Sequence, residues 1–409
     1  MMMSKVMSND PIVSELPGER LDACVRFLQR LIRTRSMPGE EGELAMLVAD
    51  EMRALGYDEV EHDAAGNVIG LLRGLGDAPS VMFNTHLDHV DAGDPADWPH
   101  DPYGGEIHDG LLWGRGAIDI KGPLAAQVHG IARLIAAGRR PPGDVYVTGT
   151  VQEEVGGLGA RYMAETLRPD LVLIGEPSRN EVRRGHRGRI ELRVQVRGKM
   201  AHASMTGIGR NPLTVLGRFL ADLEDVDLAH DPDLGACSIA PTLIGTDQTS
   251  GNVIPGLAEV TLDCRTVTGQ DAASLREQLL PVLRACEIEG SSSDILIPLH
   301  ERTSYAGYEM TYPADNPALS LPAEHRAVRT ATEVLAGPLG DEPPVDLWDF
   351  ATDGGHFALA GMTVVGFGPG DDRLAHTVRE HIVIDDLATG IRGNAALAFH
   401  WPARYARAS

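Results

Sequence analysis

Residues 189–197, RIELRVQVR, decide the fold. Apolar and polar side chains alternate there, putting Ile190, Leu192, Val194 and Val196 on one face, as in a strand buried on one side only. Downstream the pattern predicts a helix at about 211–224, strands at 237–244 and 257–265, a helix over 271–286 with Pro281 placed to kink it, and a strand near 294–299. That order, β-α-β-β-α-β, is the split βαβ, ferredoxin-like unit. Upstream the style differs. Helices predicted at 19–35, 40–55 and 122–137 alternate with short apolar runs at Val68–Leu72, Ser80–Phe83, Val145–Val151 and Leu171–Ile174. The same style returns after residue 312, with a helix at 323–335, a buried strand at 362–368 and a closing helix at 385–399. Strands alternating with helices predict an α/β fold, a mostly parallel sheet with flanking helices on both faces. The chain therefore reads as a discontinuous α/β domain, 1–185 and 313–409, with a ferredoxin-like α+β domain inserted at 186–312.

The 409 residues carry a formal charge of −23. Phosphate backbones and anionic membrane surfaces both attract basic proteins, so neither nucleic acid nor a membrane is an expected partner. No stretch approaches 18 consecutive apolar residues, and Met1 to Pro11 is polar with no apolar leader. The four cysteines, Cys24, Cys237, Cys264 and Cys286, form no CxxC pair. They give neither a disulfide framework nor a thiolate metal site, and a cytoplasmic location is the expectation.

In open α/β sheets, sites form at the carboxyl ends of strands. Five places there carry chemistry. His86 and Asp88, in Asn84-Thr85-His86-Leu87-Asp88, pair a potential ligand with a carboxylate that can bond the ring's other nitrogen. Asp119 sits on a glycine-flanked turn, where it can N-cap the next helix or bridge two metals through its two oxygens. Glu153 and Glu154 are adjacent at a strand end; their repulsion raises one pKa unless a cation offsets it. One of them can ligate a metal while the other takes a proton from water. Glu176 follows the strand 171–174, and His376 follows a glycine-rich turn. Two imidazoles and three carboxylates without thiolate suit zinc, cobalt or manganese, and five ligands exceed what one catalytic zinc takes. They suit two metals.

These motifs in combination resemble the co-catalytic zinc amidohydrolases and peptidases that include acetylornithine deacetylase, succinyl-diaminopimelate desuccinylase, aminoacylase and the glutamate carboxypeptidases. The resemblance runs from about residue 20 to 400, through NTHLDHVD at 84–91, WPHDPYGG at 98–105, DGLLWGRGAIDIKG at 109–122, VQEEVGG at 151–157, GEP at 175–177 and LAHTVRE at 374–380. It implies two Zn2+ per subunit (Co2+ or Mn2+ in their place is compatible), one held by His86 and Glu176, the other by Glu154 and His376, with Asp119 bridging. It implies Glu153 as general base and Asp88 as the group orienting His86. The inserted domain would be a lid and dimerisation domain, making the protein a homodimer. Within it, His202 would stabilise an oxyanion, and Asn252 and Arg265 would hold the substrate's carboxylate end; the plain alternative for Arg265 is a strand ion pair.

The family's Gly-Thr-Asp segment reads Ala351-Thr352-Asp353-Gly354-Gly355 here, which puts substrate contacts from Thr352 and Gly354 in question. His356 is expected to be packed or at the surface, and His89 is not expected to be a ligand. The basic segment 181–189 resembles the hinge of a subgroup of unassigned hydrolases. The activity implied is cleavage of the amide bond of an N-acyl amino acid; a short-peptide substrate, cut by a dipeptidase or carboxypeptidase, is the alternative, and a non-catalytic binding protein on this fold the remoter one.

Overall fold

The computed structural model describes Ile12, Ser14 and residues 16–407. The polar N-terminal stretch up to Pro11 lies outside the described residues. The chain forms two compact units. The larger comprises the chain up to Gly185, Arg302–Met310 and the stretch from Leu321 onward; the smaller comprises His186–Glu301 and Thr311–Ser320. The return from the insert is thus not one crossing at 312–313. The chain leaves the smaller unit at residue 302 and re-enters it at 311, because Asp315–Asn316 pairs with the strand that opens that unit.

In the larger unit, helices α1 (Gly18–Arg33) and α2 (Gly42–Leu55) precede strands β1 (Glu59–His62), β2 (Val68–Leu72) and β3 (Val81–His86). Then come α3 (Lys121–Ala136), β4 (Val145–Thr150), α4 (Leu158–Thr166), β5 (Leu171–Ile174) and β6 (Val182–His186). β3, β4 and β5 are parallel neighbours with β3 central. The late strand at Thr363–Gly366 adds parallel to β5. The core of the sheet is parallel as expected, and antiparallel strands flank it: β1 and β2 on one side, β6 on the other. All of β3 and β5 is buried; β5 and the Val81–Phe83 start of β3 are accordingly apolar, and the end of β3 carries the buried polar residues Asn84, Thr85 and His86. α3 is buried from Lys121 to Leu134, so its small side chains, Ala125, Ala126, Gly130 and Ala132, face packing on every side.

The smaller unit begins with β7 (Gly188–Arg197), followed by α5 (Pro212–Asp222), β8 (Ser238–Thr246), β9 (Leu257–Thr266), α6 (Ala272–Ala285) and β10 (Ser292–Leu296). Its strands lie in the order β8-β9-β7-β10, all antiparallel, the ferredoxin-like arrangement. The alternation read in 189–197 is the observed one. Ile190, Leu192, Val194 and Val196 are buried against Val215, Leu216 and Phe219 of α5 and Leu275, Leu279 and Leu283 of α6. Each such apolar side chain contributes about 1.5–3 kcal/mol on burial. Pro281 lies inside α6 without ending it. The last predicted strand is shifted: β10 ends at Leu296, and Leu299–Thr303 is a separate strand. The larger unit closes with α7 (Arg326–Leu339), α8 (Gly354–Leu359), β11 (Thr363–Gly366) and α9 (Ile384–Arg407). No helix of the described residues is long and apolar enough to cross a membrane.

Candidate dinuclear metal centre

His86 ends β3 and points its ring at Asp119. Its Nε2 lies 3.0 Å from Asp119 Oδ1 and 3.6 Å from Glu176 Oε1. On the ring's other side, Nδ1 is 3.0 Å from the Asp88 carbonyl oxygen and 3.4 Å from Asp88 Oδ1. A second set shares Asp119: His376 Nε2 is 3.1 Å from Asp119 Oδ2 and 3.1 Å from Glu154 Oε1. Each oxygen of Asp119 therefore serves one triplet, His86–Asp119–Glu176 or Asp119–Glu154–His376. Within each triplet the donor atoms lie within 4.8 Å of one another.

The backbone explains why these side chains meet. β4 ends at Thr150, and Gln152 turns the chain with a positive φ of 59°. Glu41 Oε1 accepts the Gln152 amide, and Gln152 Nε2 donates to the Thr303 carbonyl. The next two amides, of Glu153 and Glu154, both donate to Asp88, at 3.0 and 3.1 Å. Asp88 is fully buried and joins the β3 end to the β4 end. Gly157 closes this turn at φ +73°, where an added Cβ would lie 2.9 Å from Asp353 Oδ1 and His356 Nε2.

Two residues not singled out from the sequence complete the cluster. Asp353, buried, accepts from Thr150 Oγ1 at 2.7 Å. Glu380, buried, takes Arg115 Nη1 at 2.7 Å on one oxygen and the amides of Ile118 and Asp119 at 3.0 and 3.2 Å on the other. Glu380 thereby fixes the backbone that carries Asp119. The LAHTVRE segment contained it, but a lone glutamate in a loop carries no sign of its distant partner.

The electrostatics are those of surplus buried acid. Burial, with Asp353, Glu176 and Glu154 nearby and against the pull of His86, holds the Glu153 carboxyl well above the usual range. Burial and Asp119 push Glu176 and Glu154 up likewise. Burial alone would raise Asp119, yet bonds to His376 and His86 hold it low. Bonds to Asp119 and Glu154 push His376 up to about 10. Carboxylates outnumber imidazoles here, and bound divalent cations would offset that excess negative charge. The donor set, imidazole nitrogens and carboxylate oxygens with a shared aspartate, fits a pair of such cations.

The remaining candidates lie elsewhere. His89 accepts the Ser36 amide on Nε2 and bonds the Val90 carbonyl through Nδ1, so both nitrogens are occupied. His356 is buried. Thr352 and Gly354 are buried, with Thr352 Oγ1 accepting the Gly354 amide. In the smaller unit His202 is exposed, its Nδ1 2.7 Å from Ser204 Oγ. Asn252 sits nearby, its carbonyl accepting the Ala203 amide. Arg265 pairs with Asp263 at 2.8 Å, an ion pair along its own strand.

A strand-end cluster of this composition, on this α/β scaffold, defines a metal-dependent hydrolase acting on amide bonds. The chain belongs to peptidase family M20/M25/M40, whose sequence pattern matches residues 82–400. It is 31% identical over 386 residues to the uncharacterized protein YgeY of Escherichia coli K12, covering 92% of this chain and 94% of that one. It is 32% identical over 375 residues to the succinyl-diaminopimelate desuccinylase of Alkalilimnicola ehrlichii, covering 88% and 94%. Among solved structures, the fold matches the Bacillus subtilis YXEP protein, described as a dinuclear metal binding peptidase of the M20 family. The TM-score is 0.70 at 15% identity, over 94% of this chain and 98% of that one.

Proposed function

We propose that the protein is a deacylase that hydrolyses the amide bond of an N-acyl amino acid, with two divalent ions, zinc in the first instance, held by His86, Asp119, Glu154, Glu176 and His376. The observation that supports this reading most is the pair of donor triplets sharing Asp119, with Glu153 beside them and committed to neither. When bound, such ions polarise a carbonyl and make water acidic enough to be deprotonated near neutral pH. Glu153 then accepts the proton of the attacking water on its carboxylate and returns it to the leaving amine nitrogen. Outside both donor triplets, its carboxylate is free of the ligand role and can both take and release that proton. Asp88 keeps the His86 ring in place and, through the amides of Glu153 and Glu154, the base as well. On the family resemblance, His202 donates to the oxygen that gains charge, and Asn252 and Arg265 receive the carboxylate of the substrate.

The desuccinylase relative favours an N-succinyl or similar acyl group; the peptidase neighbour favours a short peptide as the second reading. We also infer a homodimer formed through the inserted unit, supported by Leu243 and Ile244 standing 70% and 64% exposed on β8, an edge strand. Four free, buried cysteines accord with a reducing, cytoplasmic setting.

The test is a panel of N-acetyl, N-succinyl and N-carbamoyl amino acids beside dipeptides, run with metal content measured on the same protein. Metal-dependent release of an acyl group is the expected result. Turnover of dipeptides alone would move the assignment to a peptidase, and no metal-dependent hydrolysis of either would reject it.

A further inference from the structure

A third group of metal-binding side chains lies outside the centre described above. His100, Glu106 and His108 bring their donor atoms within 4.8 Å of one another. His108 Nε2 is 2.8 Å from Glu106 Oε2, and His100 Nδ1 is 3.8 Å from the same oxygen. The two imidazoles stack at 3.8 Å, 8° from parallel. Their platform is well defined. Ile107–His108 and Leu111–Trp113 form a two-residue hairpin through Asp109 and Gly110, both at positive φ (51° and 79°). The Glu106 carbonyl accepts the Trp113 amide, and the Trp113 ring meets His100 edge-on at 5.1 Å.

We propose that His100, Glu106 and His108 form a separate surface site for a divalent transition-metal ion. Two imidazole nitrogens and one carboxylate oxygen suit zinc, cobalt, nickel or copper and are a poor match for calcium or magnesium, which take oxygen cages. The stack holds one nitrogen of each ring within 4.8 Å of the other and of a Glu106 oxygen. Glu106 supplies the third ligand, and water fills the remaining positions. With side chains 25–46% exposed, the site is open to solvent and takes its ion more weakly than the buried groups do.

The test uses purified, metal-loaded protein dialysed against micromolar Ni2+, with metal content compared among wild type, His100→Ala and His108→Ala. Wild type is expected to hold one equivalent more than either variant, whatever number the buried centre retains. Glu106→Gln, which keeps both rings, is expected to bind that equivalent at least tenfold more weakly. Ni2+ is expected to quench tryptophan emission in wild type, with the quench reduced in Trp113→Phe although the extra equivalent remains. His108 lies at an exposed hairpin position, so its variant keeps the native circular dichroism. Equal metal content in wild type and both histidine variants overturns the proposal.

Discussion

At the residue scale, the proposed chemistry turns on Glu153 and on what holds it. The residues of the adjacent pair Glu153–Glu154 showed two roles, ligand and base, and the family resemblance gave the base to Glu153 and the ligand to Glu154. Consistent with that assignment, Glu154 lies 3.1 Å from His376, and Glu153 is in neither donor triplet. Glu153→Gln removes the proton acceptor and leaves the donor set intact. Turnover is expected to fall by about 10²–10⁴-fold or more with metal content unchanged. Steady-state kinetics beside elemental analysis checks this, and normal turnover would remove Glu153 from the role of base. Asp88→Ala acts through other groups. It frees the ring of His86 and leaves the amides of Glu153 and Glu154 unpaired, so metal affinity is expected to drop about 10–100-fold. Chelator competition measures that loss. The HxD spacing made Asp88 readable beside His86; its bonds to two amides 65 and 66 residues away were not readable, since no local pattern encodes them.

At the element scale, the site depends on loops that meet far from where they leave the sheet. The strands were legible from their continuous apolar runs, and their ends from the turn residues that follow. The connection between the Asp119 turn and the stretch before α9 was not. It is made by Arg115 and Glu380, 2.7 Å apart, with side chains 3% and 0% exposed. Such a pair costs most when only one member is removed, because the other charge is left buried and unpaired. Glu380→Ala is expected to destabilise the larger unit by about 3–5 kcal/mol in urea unfolding and to weaken metal retention through the released Asp119 backbone. The double variant Arg115→Met with Glu380→Leu, which removes both charges, is expected to recover much of the stability but not the metal affinity. Recovery of both would show that the clamp is not what positions Asp119. The expected substrate-binding loop shows the same limit. Thr352 and Gly354 are taken up by local packing, and the side chain that faces the carboxylates is Asp353 between them. Burial, moderated by the Thr150 bond, pushes Asp353 up to about 6.

At the scale of the whole molecule, the −23 charge and the buried titratable groups together set how the fold responds to acid. Two opposite signs are built in. Burial pushes Glu41 up to about 7 from an ordinary 4.5, so its native form binds protons more readily than its unfolded form. Between about pH 7 and 4.5, acidification therefore favours the fold at that residue. His89 works the other way. Burial and the neighbouring Lys121 push it down to about 4 from an ordinary 6.5. Its native state needs a neutral ring, because Nε2 must stay unprotonated to accept the Ser36 amide while Nδ1 donates to the Val90 carbonyl. The unfolded chain binds that proton near pH 6.5 and the folded chain only near 4. The stability His89 contributes is thus fully present above pH 6.5 and is lost as pH falls toward 4, a total of roughly 3 kcal/mol. The net slope mixes both signs, so the informative quantity is a difference. His89→Gln, whose amide keeps a donor and an acceptor but does not titrate, is expected to be less stable than wild type at pH 7.5. The gap should narrow progressively between pH 6.5 and 4, as read by urea midpoints at constant ionic strength. A gap that stays constant across that range would mean that His89 is as easily protonated in the fold as in the unfolded chain.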